Sequence, residues 1–251
     1  MQLLIYGPGR LGSAIATAAR VAGWPEPEVV GRPPLHGSRT PAPRADVVID
    51  ASMGAAVLPN LRHALAAGNR RFVLATTSWD TDHSRAQALL SEHGAVAVRA
   101  PNLSLGAALF ARLVEAAAGW YAAVGGFEPS IVEWHRRGKV DRPSGTALAL
   151  GHRIIAVDPR WTLGPDADGG HPTIEIAGIR AGATPGTHLV TFDGAGEFVE
   201  LRLVARERSA YAEGALAAAR WLVAARRAEG IHPFDVVVDE LLATASDPLA
   251  A

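Results

Sequence analysis

The chain has no cysteine among its 251 residues. That excludes disulfides and thiolate catalysis and fits a reducing compartment. It also has almost no net charge. Its 24 Lys and Arg against 25 Asp and Glu leave no bulk field to hold a nucleic acid or an anionic membrane. The opening run MQLLIYGPG lacks a basic n-region and reaches Gly7 after a short apolar stretch, so no signal peptide is expected. Arg, His and Gly interrupt the apolar stretches, and no segment is expected to reach membrane-spanning length. There is no internal repeat and no G-x-S-x-G element, which leaves hydrolase chemistry unsupported. His152, His171 and the scattered Asp and Glu show no metal-ligand spacing, so no metal is expected. These absences leave a soluble, cytoplasmic, globular protein of one large domain or two modest ones.

What is present divides into two styles. The first hundred residues alternate short apolar runs (Gln2–Tyr6, Glu28–Val30, Asp46–Ala51, Phe72–Thr76, Ala95–Arg99) with helix-patterned segments (Leu11–Ala22, Ala55–Ala67, Thr81–His93). Runs such as VVID and FVLATT do not alternate, so they read as strands buried on both faces of a parallel sheet. The segment RPPLHGSRTPAPRA has five Pro and Gly residues and reads as a loop in place of one crossover helix. Beyond Asn102, an Ala-rich helix (about Leu105–Ala123) leads to a strand at Ser130–Trp134 and a helix from about Thr146. Three strand patterns follow, TIEIAGIR, THLVTFD and EFVELRLVARE. Segregated strands and helices indicate a second, α+β domain with a mixed or antiparallel sheet. Amphipathic helices at about Tyr211–Glu229 and Phe234–Ala243 close the chain. Trp134 and Trp221 lie in apolar patterns and read as core.

Gly7, Gly9 and Gly12 form G-x-G-x-x-G directly after a strand and at the start of a helix. The first glycine permits the tight turn, the second lets a pyrophosphate approach the backbone, and the third lets helix and strand lie close. The next strand ends in Gly31 and Arg32, with no carboxylate for a ribose. An Arg there pairs a 2′-phosphate, which points to NADPH, with NADH the alternative. ATTSW (Ala75–Trp79) and APNLS (Ala100–Ser104) fall at the carboxyl ends of the fourth and fifth strands, the edge at which open α/β sheets bind ligands.

The stretch EWHRRGKVDRPSGTALAL, Glu133 to Leu150, crowds cations before Ser144-Gly145-Thr146, which opens a helix. Backbone N–H groups and hydroxyls at that start suit a carboxylate. His135 and Lys139 bracket the same space, one a general acid near neutral pH, the other a source of charge or a proton. Together they imply reduction of an anionic, electron-poor substrate, with a nearby acid or cation receiving the charge that develops. A solvated basic turn before a capped helix is the bland alternative.

Glu133, His135, Lys139, Asp141, Pro143, Ser144, Gly145, Thr146 and Ala147 match the E-x-H-H-x-x-K-x-D-x-P-S-G-T-A signature of the dihydrodipicolinate reductases, and the sequence resembles that family over nearly its whole length. GPGRLG resembles the family's G-x-G-R-M-G, ATT its G-T-T, and APNLSLG its A-N-F-S-x-G. IRAGATPGTHLVTFDGAGEFVEL resembles its R-x-G-x-x-x-G-x-H-x-V-x-F region. The resemblance implies that His135 is the acid, Lys139 the proton donor, and Gly145 and Thr146, with Ser144 and Arg136, the substrate contacts. It places the cofactor on Gly7, Pro8, Gly9, Arg10, Leu11 and Gly12, on Ala75, Thr76 and Thr77, and on Ala100, Pro101, Asn102 and Leu103, with Arg32 added by the reading above.

The implied fold is α/β. A Rossmann domain (1–103 and 215–251) would carry an inserted mixed-sheet domain (104–214) that binds substrate and builds a homotetramer. The implied reaction is NAD(P)H-dependent reduction of a small dicarboxylate, 4-hydroxy-tetrahydrodipicolinate, in the diaminopimelate route to lysine. The alternatives are a paralogue acting on another unsaturated or imine carboxylate and a silent nucleotide-binding protein.

Three departures stand out. Arg136 replaces the family's second His, a permanent cation for a donor-acceptor ring. Ala75 replaces the first glycine of G-T-T, followed by Ser78 and Trp79, whose indole is expected to crowd the nicotinamide end. The cofactor-choosing loop is short and proline-rich. His188 matches a family position near the active cleft, and a surface strand position is equally open.

Overall fold

The computed structural model describes residues 1–31, 41–100, 102–164 and 171–245. The chain divides into two compact units, Met1–Leu105 with Arg208–Ala251, and Gly106–Glu207. In the first unit β1 (Leu3–Tyr6) is followed by α1 (Arg10–Val21), β2 (Glu28–Val30), β3 (Val47–Asp50), α2 (Val57–Ala66), β4 (Arg71–Leu74), α3 (His83–Glu92) and β5 (Val96–Arg99). Every residue of β1 and β3 is buried, as a parallel sheet covered on both faces requires. Most of the expected proline-rich loop, residues 32–40, lies outside the described residues. Its last part is held by Asn69, whose side chain accepts from Ala45 N–H and donates to the Pro43 and Ala64 carbonyls.

The second unit takes α4 (Leu105–Val124), β6 (Phe127–His135), α5 (Gly145–Val157), β7 (Thr162–Leu163), β8 (Thr173–Arg180), β9 (Gly186–Gly194) and β10 (Phe198–Ala205). The sheet order is β10-β9-β6-β8-β7. The β10–β9 and β9–β6 pairings are antiparallel, and β6–β8 and β8–β7 are parallel. One face packs on α4 and α5 through Phe110, Val114, Ile131, Leu150, Ile154 and Phe192.

Two expectations about this unit are corrected. Trp134 is not core but 44% exposed. Strand period two turns Ile131, Glu133 and His135 to the covered face and Trp134 to the other, where its indole N–H donates to the Ala181 carbonyl at 3.0 Å. And among the described residues one helix is long and apolar enough to cross a membrane, α4, with 20 residues and a mean hydropathy of 1.3. Its buried side chains Phe110, Val114, Ala117 and Ala118 belong to this unit's core, and Arg153 of α5 pairs with Glu115 on it. Those contacts are what a covering helix of a mixed sheet makes.

The chain then returns to the first unit through α6 (Ser209–Ala224), β11 (Gly230–Pro233) and α7 (Phe234–Ala245). The completed parallel sheet runs β11-β5-β4-β3-β1-β2. The helix expected to reach Glu229 stops at Ala224, and β11 is a strand that periodicity missed. Four residues with Gly at one end and Pro at the other give no alternation to read, and Pro is tolerated there because β11 is an edge strand. Arg227 fixes the turn between them. It lies 3.9 Å from the Trp221 ring and pairs with Glu240. Trp221 is buried, as expected. The two-residue β7 was also too short to read.

Candidate active site

In the first unit, the chain leaves β1 through Gly7, whose φ of +106° is left-handed and whose N–H bonds the Val30 carbonyl. A Cβ there would lie 2.5 Å from the Ala51 oxygen, and one at Gly12 would lie 1.9 Å from the Gly7 oxygen. Only glycine allows both approaches. Gly9 caps α1 in extended conformation with no side chain on the helix donors and no acid in the first turn, which leaves them to an anion. Arg10 and Leu11 form that first turn. A cavity of about 220 Å³ opens above it, lined by Gly7, Pro8, Gly9, Gly31, Ser52 and Asn60 among others.

Its wall contains a polar network that sequence reasoning did not find. Buried Asp50, at the end of β3, accepts from Ser52 N–H (3.1 Å), the Ser52 hydroxyl (2.7 Å), Asn60 Nδ2 (2.8 Å) and Thr76 Oγ1 (2.6 Å). Asn60 Oδ1 is buried and has no hydrogen-bond partner. Tyr6 lies nearby with its hydroxyl 2.8 Å from His63 Nδ1. Burial, then the Asp50 charge, pushes its pKa up. These groups fit a dinucleotide, with a glycine cradle and free helix donors for the pyrophosphate and an unpaired amide oxygen for a hydroxyl or amine. A strand-final Asp was a readable signal; Asn60, mid-helix, was not.

The remaining cofactor positions sort differently. Ala75 N–H bonds the Asp50 carbonyl (2.8 Å), and Thr76 joins the network, with Thr77 following it. Ala100, Asn102 and Leu103 follow β5. The Asn102 side chain accepts from Ser104 N–H (2.9 Å), and Leu103 is buried with its carbonyl against Gly214. Arg32 and Pro101 lie outside the described residues. Trp79 does not crowd the loop edge as expected. It is 2% exposed, donates to the Thr76 carbonyl (2.7 Å), stacks on His83 and carries the Arg99 guanidinium on its ring.

In the second unit, β6 turns Glu133 and His135 to the same face, and the β6–β9 register sets His188 directly across from Glu133. All three are buried. Glu133 Oε1 accepts from Ser144 N–H (3.0 Å) and Arg180 (2.5 Å). Burial alone would raise this carboxyl, but the bonds from Ser144 and the Arg180 guanidinium hold it below the usual range. His188 Nε2 lies 3.3 Å from Ser144 Oγ. Burial first, then the charges of His135, Lys139 and Arg180, push its pKa down to about 4 against the opposing pull of Glu133. Glycines make the room. A Cβ at Gly186 would lie 2.9 Å from His135 Cε1, and one at Gly178 3.2 Å from Glu133 Oε1.

Ser144 caps α5 by accepting from Ala147 N–H (3.2 Å). Lys139 Nζ pairs with Asp141 at 2.8 Å. Burial opposes ionisation of Asp141, but Lys139 and the Gly145 backbone outweigh it and lower its pKa. The structure thus brings His135 together with Glu133 and His188, and separately Lys139 with Asp141 beside the helix start. Thr146 is half-buried in the first turn of α5, and Arg136 is exposed. The absence of metal-ligand spacing along the chain does not carry into three dimensions, because Glu133, His135 and His188 offer ligand atoms within 4.8 Å of one another.

Comparison with known proteins places this geometry. The family described as "Dihydrodipicolinate reductase, N-terminus" matches residues 35–103, and "Dihydrodipicolinate reductase, C-terminus" matches residues 106–237. The 4-hydroxy-tetrahydrodipicolinate reductase of Rubrobacter xylanophilus is 36% identical over 207 residues, 78% of this chain and 75% of that protein. The enzyme of the same name from Magnetococcus marinus is 39% identical over 188 residues, 71% and 68% of the two chains. Among solved structures, a dipicolinate-bound dihydrodipicolinate reductase from Paenisporosarcina sp. TG-14 shares the fold at a TM-score of 0.67 and 20% identity, covering 93% of this chain and 97% of that one. An α/β chain with this parallel sheet, this mixed sheet and these relatives belongs to the dihydrodipicolinate reductase family.

Proposed function

We propose that the protein is an NAD(P)H-dependent reductase of 4-hydroxy-tetrahydrodipicolinate, acting in the diaminopimelate route to lysine. The observation that carries this reading at the level of residues is the juxtaposition on β6 and α5. A buried imidazole, His135, is backed by a carboxylate that also anchors the helix start meant for a substrate carboxylate. In this reading unit 1 holds the dinucleotide and unit 2 the substrate. Gly7 to Gly12 hold the pyrophosphate, with Ala75 to Thr77 and Ala100 to Leu103 at the strand ends. When bound, NAD(P)H supplies the hydride. Gly145 and Thr146 N–H groups, with Ser144, orient one carboxylate of the dicarboxylate at the start of α5. Arg136, free in solvent, takes the second. Lys139, released from Asp141, gives a proton to the atom that gains charge, and His135 stabilises that charge as an acid.

Three finer readings belong to the same proposal. Arg32 and the missing carboxylate after β2 favour NADPH over NADH. The open face of the second sheet carries Val204, Thr187, Trp134 and Ile179 in one row across four strands, with Val204, Trp134 and Ile179 each more than 40% exposed. Covering that row between subunits supports a homotetramer, which light scattering at micromolar concentration checks. A cysteine-free enzyme of amino-acid biosynthesis fits the cytoplasm.

The deciding experiment follows NADPH and NADH oxidation with freshly made 4-hydroxy-tetrahydrodipicolinate. Lys139→Ala and His135→Gln should each lower kcat by about 10²–10⁴-fold while NADPH affinity holds. Thr146→Val should chiefly raise KM. Full turnover in both the His135 and Lys139 variants overturns the catalytic assignment. A rise in activity with Arg136→His would mean that this chain has moved toward another substrate.

A further inference from the structure

Three potential ligand atoms, Glu133 Oε2, His135 Nε2 and His188 Nε2, converge inside the second unit. His135 Nδ1 lies 3.3 Å from the Pro185 carbonyl oxygen, which only accepts, so Nδ1 carries a hydrogen and the neutral form of the ring presents its lone pair at Nε2. His188 Nε2 lies 3.3 Å from Ser144 Oγ, a hydroxyl that already accepts from Ala147 N–H and whose own hydrogen can turn away, which leaves the Nε2 lone pair to a metal. Glu133 Oε2 lies 3.2 Å from His135 Nε2 and 3.8 Å from His188 Nε2. Neither Glu133 Oε2 nor His135 Nε2 has an aligned hydrogen-bond partner, although both are buried. A buried carboxylate oxygen facing a buried imidazole nitrogen without an aligned bond is costly unless a cation, a proton or a metal ion, lies between them.

We propose that Glu133 Oε2, His135 Nε2 and His188 Nε2 form a binding site for a divalent transition-metal ion of the zinc class. Metal–ligand bonds of about 2.0–2.1 Å at tetrahedral angles put ligand atoms about 3.3 Å apart. The two carboxylate–imidazole separations, 3.2 and 3.8 Å, already lie near that edge, and no pair of ligand atoms is more than 4.8 Å apart. The surrounding contacts are those a metal site needs. His135 gives its other ring N–H to a backbone carbonyl, and Glu133 Oε1 is fixed by Ser144 N–H and Arg180. Lys139 carries its own anion, Asp141, which limits its repulsion of the ion, while Arg180 shares the Glu133 carboxylate through its other oxygen. Two imidazoles and one carboxylate select zinc, nickel or cobalt over magnesium and calcium, which seek oxygen. Occupancy ties up His135 Nε2, so on the reductase reading the ion inhibits; the binding itself does not depend on that reading.

Chelator-stripped full-length protein, titrated with Co²⁺ and followed by visible ligand-field absorption, tests the site, with Zn²⁺ competition and metal analysis after desalting. One equivalent of Co²⁺ should bind and be displaced by Zn²⁺, and excess Mg²⁺ should leave the spectrum unchanged. Glu133→Gln keeps the bonds to Ser144 and Arg180 through its amide oxygen, and should weaken Co²⁺ binding by at least ~10–100-fold, the loss seen even for outer contacts. His188→Gln and His135→Gln should do the same, and circular dichroism identifies any variant that fails to fold. The absence of ligand-field bands overturns the proposal. So does Co²⁺ binding that survives in the folded variants, which would assign it to other histidines among the nine in the chain.

Discussion

Acidification should weaken the folded state through His188 before it reaches the carboxylates. This side chain is 7% exposed, and its pKa falls from 6.5 to about 4 on folding. The groups facing it are His135, Glu133, Lys139, Arg180 and the Ser144 hydroxyl. A depressed folded pKa on a base means that the unfolded chain binds the extra proton first. The stabilisation is therefore whole above pH 6.5 and is lost as pH falls from 6.5 toward 4. At about 1.4 kcal/mol per pH unit, that window amounts to about 3 kcal/mol, a large share of the ~5–15 kcal/mol that holds a domain together. Glu133, whose pKa is lowered on folding, adds a loss of the same sign at more acidic pH. Urea unfolding in EDTA at half-unit steps between pH 7 and 4.5 measures the effect. His188→Gln leaves an amide oxygen for the Ser144 hydroxyl but has nothing to titrate, and all other histidines remain. The midpoint should fall more steeply with acid in the wild type than in the variant. Identical slopes would refute the reasoning, since they would mean that His188 is protonated as readily folded as unfolded.

The other predictions are brief. Asp50→Ala removes the acceptor from Ser52, Asn60 and Thr76 and should cost about 3 kcal/mol or more, at about 1–3 kcal/mol for each buried donor stranded, as read by urea midpoints. Gly186→Ala puts a methyl group 2.9 Å from His135 Cε1. It should lower kcat by about tenfold or more with NADPH affinity unchanged, because a misplaced acid loses about one to two orders of magnitude; unchanged kcat would show that the ring position is not critical. Ser78 holds φ at 63°, so Ser78→Gly should raise stability by about 1 kcal/mol in the same urea assay.

The parallel sheet was legible because its strands are buried on both faces and leave uninterrupted apolar runs. β1, β3 and β4 are such runs, and each was found within a residue or two. The elements that went unread have no such pattern. β7 is two residues long, and β11 begins with glycine and ends with proline. Both are edge strands that owe their place to a neighbour rather than to their own periodicity. Trp134 shows the opposite failure. It lies in an apolar neighbourhood, yet the strand's two-residue repeat assigns it to the open face, and hydrophobicity alone could not say which face the core would take.

The candidate site was legible only where its parts are consecutive. His135, Lys139 and Ser144 to Thr146 fall within twelve residues and were named with roles. His188 lies 55 residues from Glu133, and only the β6–β9 register makes them cross-strand partners. Until that register is known, Glu133 is one more acid in a charged stretch. Its position explains why the stretch is written as it is. One carboxylate, fully buried, fixes the start of α5 through Ser144, takes the charge of Arg180 and faces both histidines. On the proposed reading, the helix start that would receive a carboxylate and the imidazole that would act as an acid are therefore tied to a single side chain. A change at Glu133 should disturb binding and turnover together, whereas a change at the exposed Arg136 should alter substrate choice and leave the scaffold intact.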